Sequence, residues 1–239
     1  MTEALYLDDS GVRSFEATVE RALDDRIVLD ATHFYPEGGG QPADRGVLSD
    51  GSREWPVTDV QKQDTIYHHV TGTPPEPGTT VRGDLDAERR ETLSRYHTAQ
   101  HLLSAVLLDE YDAETTGNQI YTDSARIDAA YDRFDGTDLA DIETRLNDLV
   151  DAGTPVTWYT LDREVAEREL DPERTRLELL PDSITELRIV EVEGPDGDVF
   201  DRTACAGTHV TSTDAVGEVT VTGRETAGKG EERLRFVLE

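Results

Sequence analysis

The sequence predicts an α+β protein in which a small, glycine-rich, barrel-like β domain precedes an α/β domain with helices packed on an antiparallel sheet. Two observations predict this class. The first third of the chain alternates short apolar runs with clusters of Gly, Pro, Asp and Ser, as small β domains do. Beyond residue 87 the apolar residues recur at steps of three and four, which is the helical period. We therefore expect two domains, 1–87 and 88–239.

The strands of the first domain are predicted from short runs rich in β-branched and aromatic residues. They cover residues 26–32, 46–50, 55–61, 65–70 and 79–85. The segment "TGTPPEPG" (71–78) cannot be helical, because its three prolines fix φ and remove backbone donors. We expect a turn or linker there, near the edge of the domain.

The second domain opens with a predicted helix over 88–108, which contains neither Gly nor Pro. A second helix is predicted within the segment 137–153, with Thr137 or Asp138 as the N-cap and Gly153 just past its end. The later elements are strands at 155–161 and 187–193, a short helix at 163–170 between them, and a closing antiparallel pair at 217–225 and 232–238.

The chain is strongly acidic, with a formal charge of -29, yet 36% of its residues are hydrophobic. Lys62 and Lys229 are the only lysines, so nearly every cation is arginine. Surfaces of this kind suit a high-salt cytoplasm, where screening over about 3 Å at 1 M removes most self-repulsion. We expect a halophilic source, with an acidic mesophilic surface as the alternative.

The location is predicted from two further features. Cys205 is the sole cysteine, which gives no support to secretion, and residues 1–30 contain no signal peptide or membrane span. We expect a soluble, cytoplasmic protein with no membrane partner.

Two pairs of residues have the spacing of metal ligands. His97 and His101 are four residues apart on a predicted helix and therefore face the same way. Cys205 and His209 are four apart in "CAGTH", a glycine-containing turn. Zinc accepts both thiolate sulfur and imidazole nitrogen, so we expect one Zn²⁺ per chain. The alternative is a polar helix face together with a small buried cysteine and a surface histidine.

The ligand set favours a catalytic zinc over a structural one, because it is rich in histidine and has a single thiolate. Whether three or four of the residues bind at once stays open. Peptide hydrolysis of the H-E-x-x-H type is not expected, since Thr98 stands where that motif has its glutamate base, and Gln100 cannot take a proton. An easier reaction, such as cleavage of an activated ester, is predicted.

Several motifs, taken together and in order, resemble a known family. "HTAQHLL" followed by "CAGTH" is similar to the editing domain of alanyl-tRNA synthetases and to the free-standing AlaX-type editing proteins, whose fold also occurs in threonyl-tRNA synthetases. "FYPEGGGQPADRG" (34–46) resembles that family's glycine-rich motif, and "GNQIYTDSARID" (117–128) and "RIVEVEG" (188–194) its central and later segments. With no synthetase domain and no long C-terminal domain, we expect the medium-length, free-standing form.

The resemblance implies hydrolysis of mischarged tRNA(Ala), chiefly Ser-tRNA(Ala) and also Gly-tRNA(Ala), in the service of translation fidelity. The zinc ligands that it implies are His97, His101, Cys205 and His209.

Further site residues come from the same resemblance. Thr32 is the candidate for recognising the serine hydroxyl, and Gln119 for orienting water or substrate. The substrate-binding candidates are Gly38, Gly39, Gly40 and Gln41, whose run is neither a dinucleotide fingerprint nor a Walker motif. The alternative for Thr32 is an ordinary strand residue, and for Gln119 a surface turn.

The charge departs from what tRNA binding normally requires, because -29 repels phosphate. We predict that arginines gather near the site, namely Arg89, Arg90, Arg95, Arg224 and Arg233. DNA is not an expected partner. The rival functions are a non-catalytic tRNA-binding module with a structural zinc, a zinc hydrolase of another small ester, and an editing domain for Ser-tRNA(Thr).

Overall fold

Six strands of the first unit of the chain, Met1–Leu93, close into a barrel. The computed structural model describes residues 1–175, 177, 180, 181 and 183–239. The barrel strands follow the order β2-β3-β7-β6-β5-β8, and all neighbouring pairs are antiparallel. Their bounds are Ser14–Ala22 (β2), Arg26–Leu29 (β3), Gly46–Ser49 (β5), Glu54–Lys62 (β6), Ile66–Val70 (β7) and Thr80–Leu85 (β8). Two short strands, Glu3–Ala4 (β1) and Ala31–Thr32 (β4), pair in parallel.

The barrel interior is filled by side chains that alternate along each strand. In β6, Trp55 and Val57 are buried, while Glu54 before them and Pro56 between them are exposed, which is the period of two expected of a strand with one face in solvent. Gly46 marks a close approach between β5 and β8, because a Cβ there would lie 2.2 Å from the backbone oxygen of Asp84. The predicted barrel-like domain is confirmed.

The strand predictions for this unit differ from the structure in two places. The segment 26–32 breaks into β3 and β4 at Asp30, whose carboxylate accepts hydrogen bonds from the backbone N–H groups of Thr18 and Ala31. The nine-residue strand β2 was not predicted. Residues 71–78 form neither helix nor strand, as expected.

The helix α1, Ala87–Tyr111, contains the boundary between the two units, which lies between Leu93 and Ser94. The boundary after residue 87 that the sequence suggests stays a prediction. From Tyr96 to Leu107 every residue of α1 is buried, including the polar ones. Polar side chains on a helix buried on all sides need partners inside the protein, and Thr98 and His101 have such partners.

The second unit, Ser94–Glu239, contains two antiparallel sheets. One has four strands in the order β14-β15-β10-β9, with bounds Thr115–Ile120 (β9), Ala125–Ala129 (β10), Val219–Gly228 (β14) and Glu231–Leu238 (β15). The other has three strands in the order β11-β12-β13, with bounds Val156–Asp162, Glu186–Glu193 and Val199–Ala204. The predicted closing pair is confirmed as β14 and β15.

Two further helices belong to this unit. The helix α2, Gly136–Asp151, begins two or three residues earlier than predicted, because its N-cap is Asp135 and not Thr137 or Asp138. Its carboxylate accepts from the N–H groups of Thr137 and Asp138, and the Asp138 side chain accepts from Asp135 in return, completing a capping box. Gly153, at φ 60, follows the helix end as predicted. The helix α3, Arg163–Glu169, is short, like its prediction.

The α+β class is confirmed. Among the residues that the structure describes, no helix is both long enough and apolar enough to span a membrane.

Candidate metal centre

Four side chains of the second unit bring one donor atom each to a common point. His97 and His101 project from the same face of α1, and Cys205 and His209 lie in the loop that follows β13. The four donor atoms all lie within 4.8 Å of one another. The three histidines are buried and Cys205 is half-buried. The structure thus brings together the two pairs that the sequence separates by about a hundred residues.

Two of the donor-to-donor separations match those of a zinc site. The sulfur of Cys205 lies 3.5 Å from His97 Nε2 and 3.4 Å from His209 Nε2. Zinc bonds of about 2.0–2.3 Å at tetrahedral angles place neighbouring nitrogen and sulfur donors about 3.3–3.6 Å apart. The ring of His101 lies 4.6 Å from that of His209, centroid to centroid. The residues therefore fit a tetrahedral ion with nitrogen and sulfur ligands.

The Thr98 hydroxyl fixes the ring of His209. It donates to the backbone oxygen of Ser94 at 3.0 Å, so towards His209 Nδ1, at 3.2 Å, it acts as an acceptor. The proton of this imidazole is thereby held on Nδ1, and Nε2 presents its lone pair to the centre. Burial and the neighbouring His97 hold the pKa of His209 well below its usual range, so the ring is neutral, as a ligand must be.

The ring of His101 is held by a carboxylate. Its Nδ1 lies 3.2 Å from Oδ2 of Asp201, whose side chain is 1% exposed. Arg174 in turn donates to both oxygens of Asp201, Nε to Oδ1 at 2.7 Å and Nη2 to Oδ2 at 2.9 Å. Burial raises the pKa of Asp201, but Arg174 and His101 outweigh it and lower the pKa to about 2. Asp201 is therefore an anion behind the candidate ligand.

The surroundings of Cys205 favour its thiolate form. Burial raises the pKa of its thiol, but the charges of His97 and His101 and hydrogen bonds from the neighbouring histidines outweigh it and hold the pKa well below its usual range. The backbone N–H of Gly207 donates to the sulfur at 3.3 Å. A thiolate is the form of cysteine that binds metal.

Arg188 holds the loop that presents this thiolate. Its Nη1 donates to the backbone oxygens of Cys205 at 2.8 Å and Gly207 at 3.0 Å, and its guanidinium lies over the ring of Trp158, 4.9 Å from the centroid. The Cys205 N–H donates to the Arg188 backbone oxygen at 3.0 Å. One residue of β12 thus ties both ends of the turn around the sulfur.

Thr32 and the glycine run lie in the first unit. Thr32 is wholly buried, its hydroxyl lies 2.8 Å from His68 Nε2, and it accepts from the N–H of Phe34. Gly38 and Gln41 exchange two backbone hydrogen bonds around Gly39 and Gly40, whose φ values are 58° and 81°. Positive φ at both central residues is typical of a type I′ turn, which explains why glycine is needed there.

Gln119 lies in β9, at the edge of the four-stranded sheet. It is half-buried, and its amide donates to the backbone oxygen of Ile120 at 3.2 Å. It is a strand residue and not the surface turn residue of the alternative reading.

The predicted cluster of phosphate-binding arginines is wrong in part. Arg90 is wholly buried and paired with Asp44, so it cannot meet phosphate. Arg224 pairs with the buried Glu232, and Arg233 with Asp128. These arginines hold buried or half-buried carboxylates, because leaving such charges unpaired is costly.

The sequence did not identify the residues that support the ligands, namely Thr98, Arg174, Arg188 and Asp201. One signal was available for Asp201. It precedes Cys205 by four residues on a strand, and alternation places the two side chains on the same side.

The fold and this site define a protein of the tRNA-synthetase editing class. Residues 6–89 match the family model described as tRNA synthetases class II (A), and residues 187–235 match that of the threonyl and alanyl tRNA synthetase second additional domain. The chain is 40% identical over 247 residues to the alanyl-tRNA editing protein AlaX-M of Methanosarcina barkeri, covering 100% of this chain and 99% of the relative. It belongs to the AlaX-M family of alanyl-tRNA editing proteins.

Two more relatives agree with this assignment. The AlaX-M protein of Methanosarcina acetivorans is 36% identical over 249 residues, covering 100% of this chain and 99% of that one. The alanine–tRNA ligase of Halobacterium salinarum is 39% identical over 251 residues, which are 98% of this chain and 26% of the ligase.

Proposed function

We propose that this protein is a trans-editing hydrolase that deacylates mischarged tRNA(Ala), chiefly Ser-tRNA(Ala), with Gly-tRNA(Ala) as a second substrate. The observation that carries the proposal is the convergence of four donor atoms within 4.8 Å in a chain whose full length matches alanyl-tRNA editing proteins.

The proposed cofactor is one zinc ion per chain, held by His97, His101, Cys205 and His209. Thiolate and imidazole donors together favour zinc over magnesium or calcium, which prefer oxygen ligands. A zinc ion held there supplies a Lewis acid and a means of lowering the pKa of water. The chain's own contribution is to hold the rings in the correct tautomers through Thr98 and Asp201.

The reaction is proposed to be ester hydrolysis, since the site has no glutamate next to its first histidine. An aminoacyl ester is activated, and its hydrolysis needs less help from a protein base than peptide hydrolysis does. The Thr98 hydroxyl is not available as a base, because its oxygen already accepts from His209 Nδ1 and from the backbone N–H of Val210. Gln119 is the proposed residue for orienting water or substrate.

Selection against Ala-tRNA(Ala) is proposed to depend on Thr32. A site that hydrogen-bonds a substrate hydroxyl rejects an analogue lacking it, because its own polar group is then unpaired. The Thr32 hydroxyl contacts His68 and accepts from the N–H of Phe34, so a serine hydroxyl would have to replace one of these contacts. As the side chain is wholly buried, contact with substrate requires its segment to move.

The glycine turn is proposed to bind the substrate through its backbone. A type I′ turn of Gly38, Gly39, Gly40 and Gln41 carries no bulky side chain at its tip, and nothing lies within 4 Å of the position that a Cβ on Gly39 would take. This leaves room for the acceptor end of a tRNA to approach.

The working environment is proposed to be a cytoplasm of high salt. The charge of -29 supports it, since such a surface is tolerated where the Debye length is only a few ångströms. Binding of tRNA under these conditions depends on few phosphate contacts, because each contact is weakened by salt.

The test is deacylation by the purified protein in high potassium chloride. Ser-tRNA(Ala), Gly-tRNA(Ala) and Ala-tRNA(Ala) are incubated with and without a zinc chelator, and release of labelled amino acid is followed. Selective, chelator-sensitive release of serine is expected. Binding of tRNA without release would replace the proposal with a tRNA-binding module, and hydrolysis of small esters independent of tRNA would replace it with a different hydrolase.

A further inference from the structure

Arg174 and Asp201 form an ion pair, and Asp201 contacts the ring of the candidate ligand His101. Asp201 presents one oxygen to His101 Nδ1 at 3.2 Å, and Arg174 occupies both oxygens from the other side. The carboxylate is therefore enclosed by a ligand ring and a guanidinium. Its side chain is 1% exposed, so neither contact is exchanged freely for water.

We infer that Asp201, clamped by Arg174, is a positioning residue that sets the orientation and basicity of His101 at the metal centre. The inference rests on metal binding by the four donor residues and goes beyond the proposed function, since it does not depend on the substrate. Asp201 acts through His101 and touches no reacting atom.

The first argument is the contrast with His209. The proton on Nδ1 of His209 is accepted by a neutral hydroxyl, that of Thr98. His101 has an anion in the same place, and charge-assisted hydrogen bonds are about twice as strong as neutral ones. Of these two ligands, His101 is thus held more firmly and made the better electron donor.

The second argument is the placement of Asp201 on the strand that leads directly to a ligand, Cys205. Asp201 and Thr203 are the buried positions of β13, and Cys205 follows in the same alternation. Thr203 is itself held, with its hydroxyl 2.7 Å from that of Thr175, the residue after Arg174. The segment that carries Arg174 is therefore fixed to β13 at two neighbouring positions.

The third argument concerns charge. A buried carboxylate on its own costs much free energy unless a cation is paired with it. Arg174 donates to both oxygens of Asp201, at 2.7 and 2.9 Å, and so balances the charge of the carboxylate that faces His101.

The test measures zinc affinity of the full chain by competition with a chromophoric chelator in high potassium chloride. Asp201→Asn keeps an oxygen for the His101 proton but removes the charge, and we expect about tenfold weaker binding. Asp201→Ala removes both the oxygen and the charge, and we expect zinc binding up to about a hundredfold weaker. The spectrum of the cobalt-substituted protein is expected to change in both variants, because the ligand field at His101 changes.

Two variants serve as matched controls. Asp109 and Arg202 line the same cavity as Asp201 and Arg174, but neither has a contact with a donor residue among the described parts of the chain. Asp109→Asn and Arg202→Gln are expected to bind zinc like the wild type. Arg174→Gln is expected to weaken binding in the same direction as Asp201→Asn.

A merely structural role gives a different result. The unfolding midpoint of metal-free Asp201→Asn would fall, while the folded protein would bind zinc as tightly as the wild type and show an unchanged cobalt spectrum. That result overturns the inference and leaves the metal centre standing. Absence of zinc binding by the wild type overturns both, and the deacylation assay above decides the proposed function independently.

Discussion

The buried ion pair of Arg90 and Asp44 offers the sharpest test of how the first unit is held together. Arg90 is wholly buried and Asp44 is 1% exposed. Arg90 Nε lies 3.1 Å from each oxygen of Asp44, and Nη2 makes a further contact with Oδ2. The same guanidinium donates to the backbone oxygens of Ser10 at 3.0 Å and His33 at 2.5 Å. It therefore joins α1 to the segments before and after the glycine turn.

The expected cost of Asp44→Ala follows from two losses. Removing one partner of a buried ion pair typically costs about 3–5 kcal/mol, because the other charge stays buried and unpaired. Asp44 also accepts a hydrogen bond from the N–H of Tyr35 at 2.6 Å, and an unsatisfied buried donor costs about 1–3 kcal/mol. The total of about 4–8 kcal/mol is comparable with the whole stability of an ordinary domain, which is about 5–15 kcal/mol.

The assay uses the two tryptophans, of which Trp55 lies in the first unit and Trp158 in the second. In a Trp158→Phe background, fluorescence during urea unfolding reports the barrel alone, since Trp55 is buried there and its indole N–H donates to the Thr73 backbone oxygen. Urea is chosen because it leaves the ionic strength unchanged.

The matched control is Asp84→Ala. Asp84 pairs with Arg82 on the barrel surface, where the side chains are 63% and 48% exposed for Arg82 and Asp84. Exposed pairs contribute about 0–1 kcal/mol, and salt screens them. If Asp44→Ala destabilises no more than Asp84→Ala, the reasoning about the buried pair is refuted. A cost for Asp44→Ala that disappears at high salt would refute it equally.

Three further predictions concern the site and the first unit. Cys205→Ala is expected to lower zinc affinity more than about a hundredfold, beyond the effect of changing a supporting residue, and to abolish deacylation; full zinc content by metal analysis would contradict the ligand assignment. Thr32→Val is expected to lower the ratio of Ser-tRNA(Ala) to Ala-tRNA(Ala) deacylation by about tenfold or more, with Thr32→Ser retaining it; an unchanged ratio removes Thr32 from recognition. Burial lowers the pKa of His68 to about 4, so the folded ring is neutral, whereas the ring in the unfolded chain takes up a proton near pH 6.5. The free energy of unfolding is therefore expected to fall by about 3 kcal/mol as the pH falls from about 6.5 towards 4. Trp55 unfolding at a series of pH values checks this last prediction, and a His68→Gln variant with the same pH slope would contradict it.

The parts of the fold that were predictable are those in which the chain's own pattern decides the structure. Four strands of the barrel and the closing pair β14 and β15 carry apolar and turn residues in the right places. The missed strand β2 does alternate, with Phe15, Ala17 and Val19 on one side and Glu16 and Thr18 between them, so its pattern was available from the sequence. The strands β9 and β10 contain Gly, Asn and Asp, which disfavour strands, and they form through pairing with each other and with β15.

The same division holds for the site. The spacing of His97 and His101 on a helix fixes their common direction, and this was available from the sequence. Asp201 was harder to identify, because it is one of 52 acidic residues and only its spacing from Cys205 sets it apart in the sequence. The prediction that Arg90 meets phosphate was wrong for a similar reason. A cation in a sequence does not show whether it meets solvent or a buried carboxylate.

The choice of arginine over lysine has a physical consequence for a chain with a charge of -29. Arg90, Arg174 and Arg188 each bind two or more acceptors at once, which a forked guanidinium does and a compact ammonium does less well. These contacts are buried or half-buried, so salt screens them little, whereas the repulsion between surface carboxylates is screened almost fully. High salt therefore weakens the carboxylate repulsion that opposes folding, and it leaves the contacts that hold the ligand loop and His101 almost unchanged. The acidic surface and the buried contacts around the candidate metal centre are compatible because salt affects the two differently.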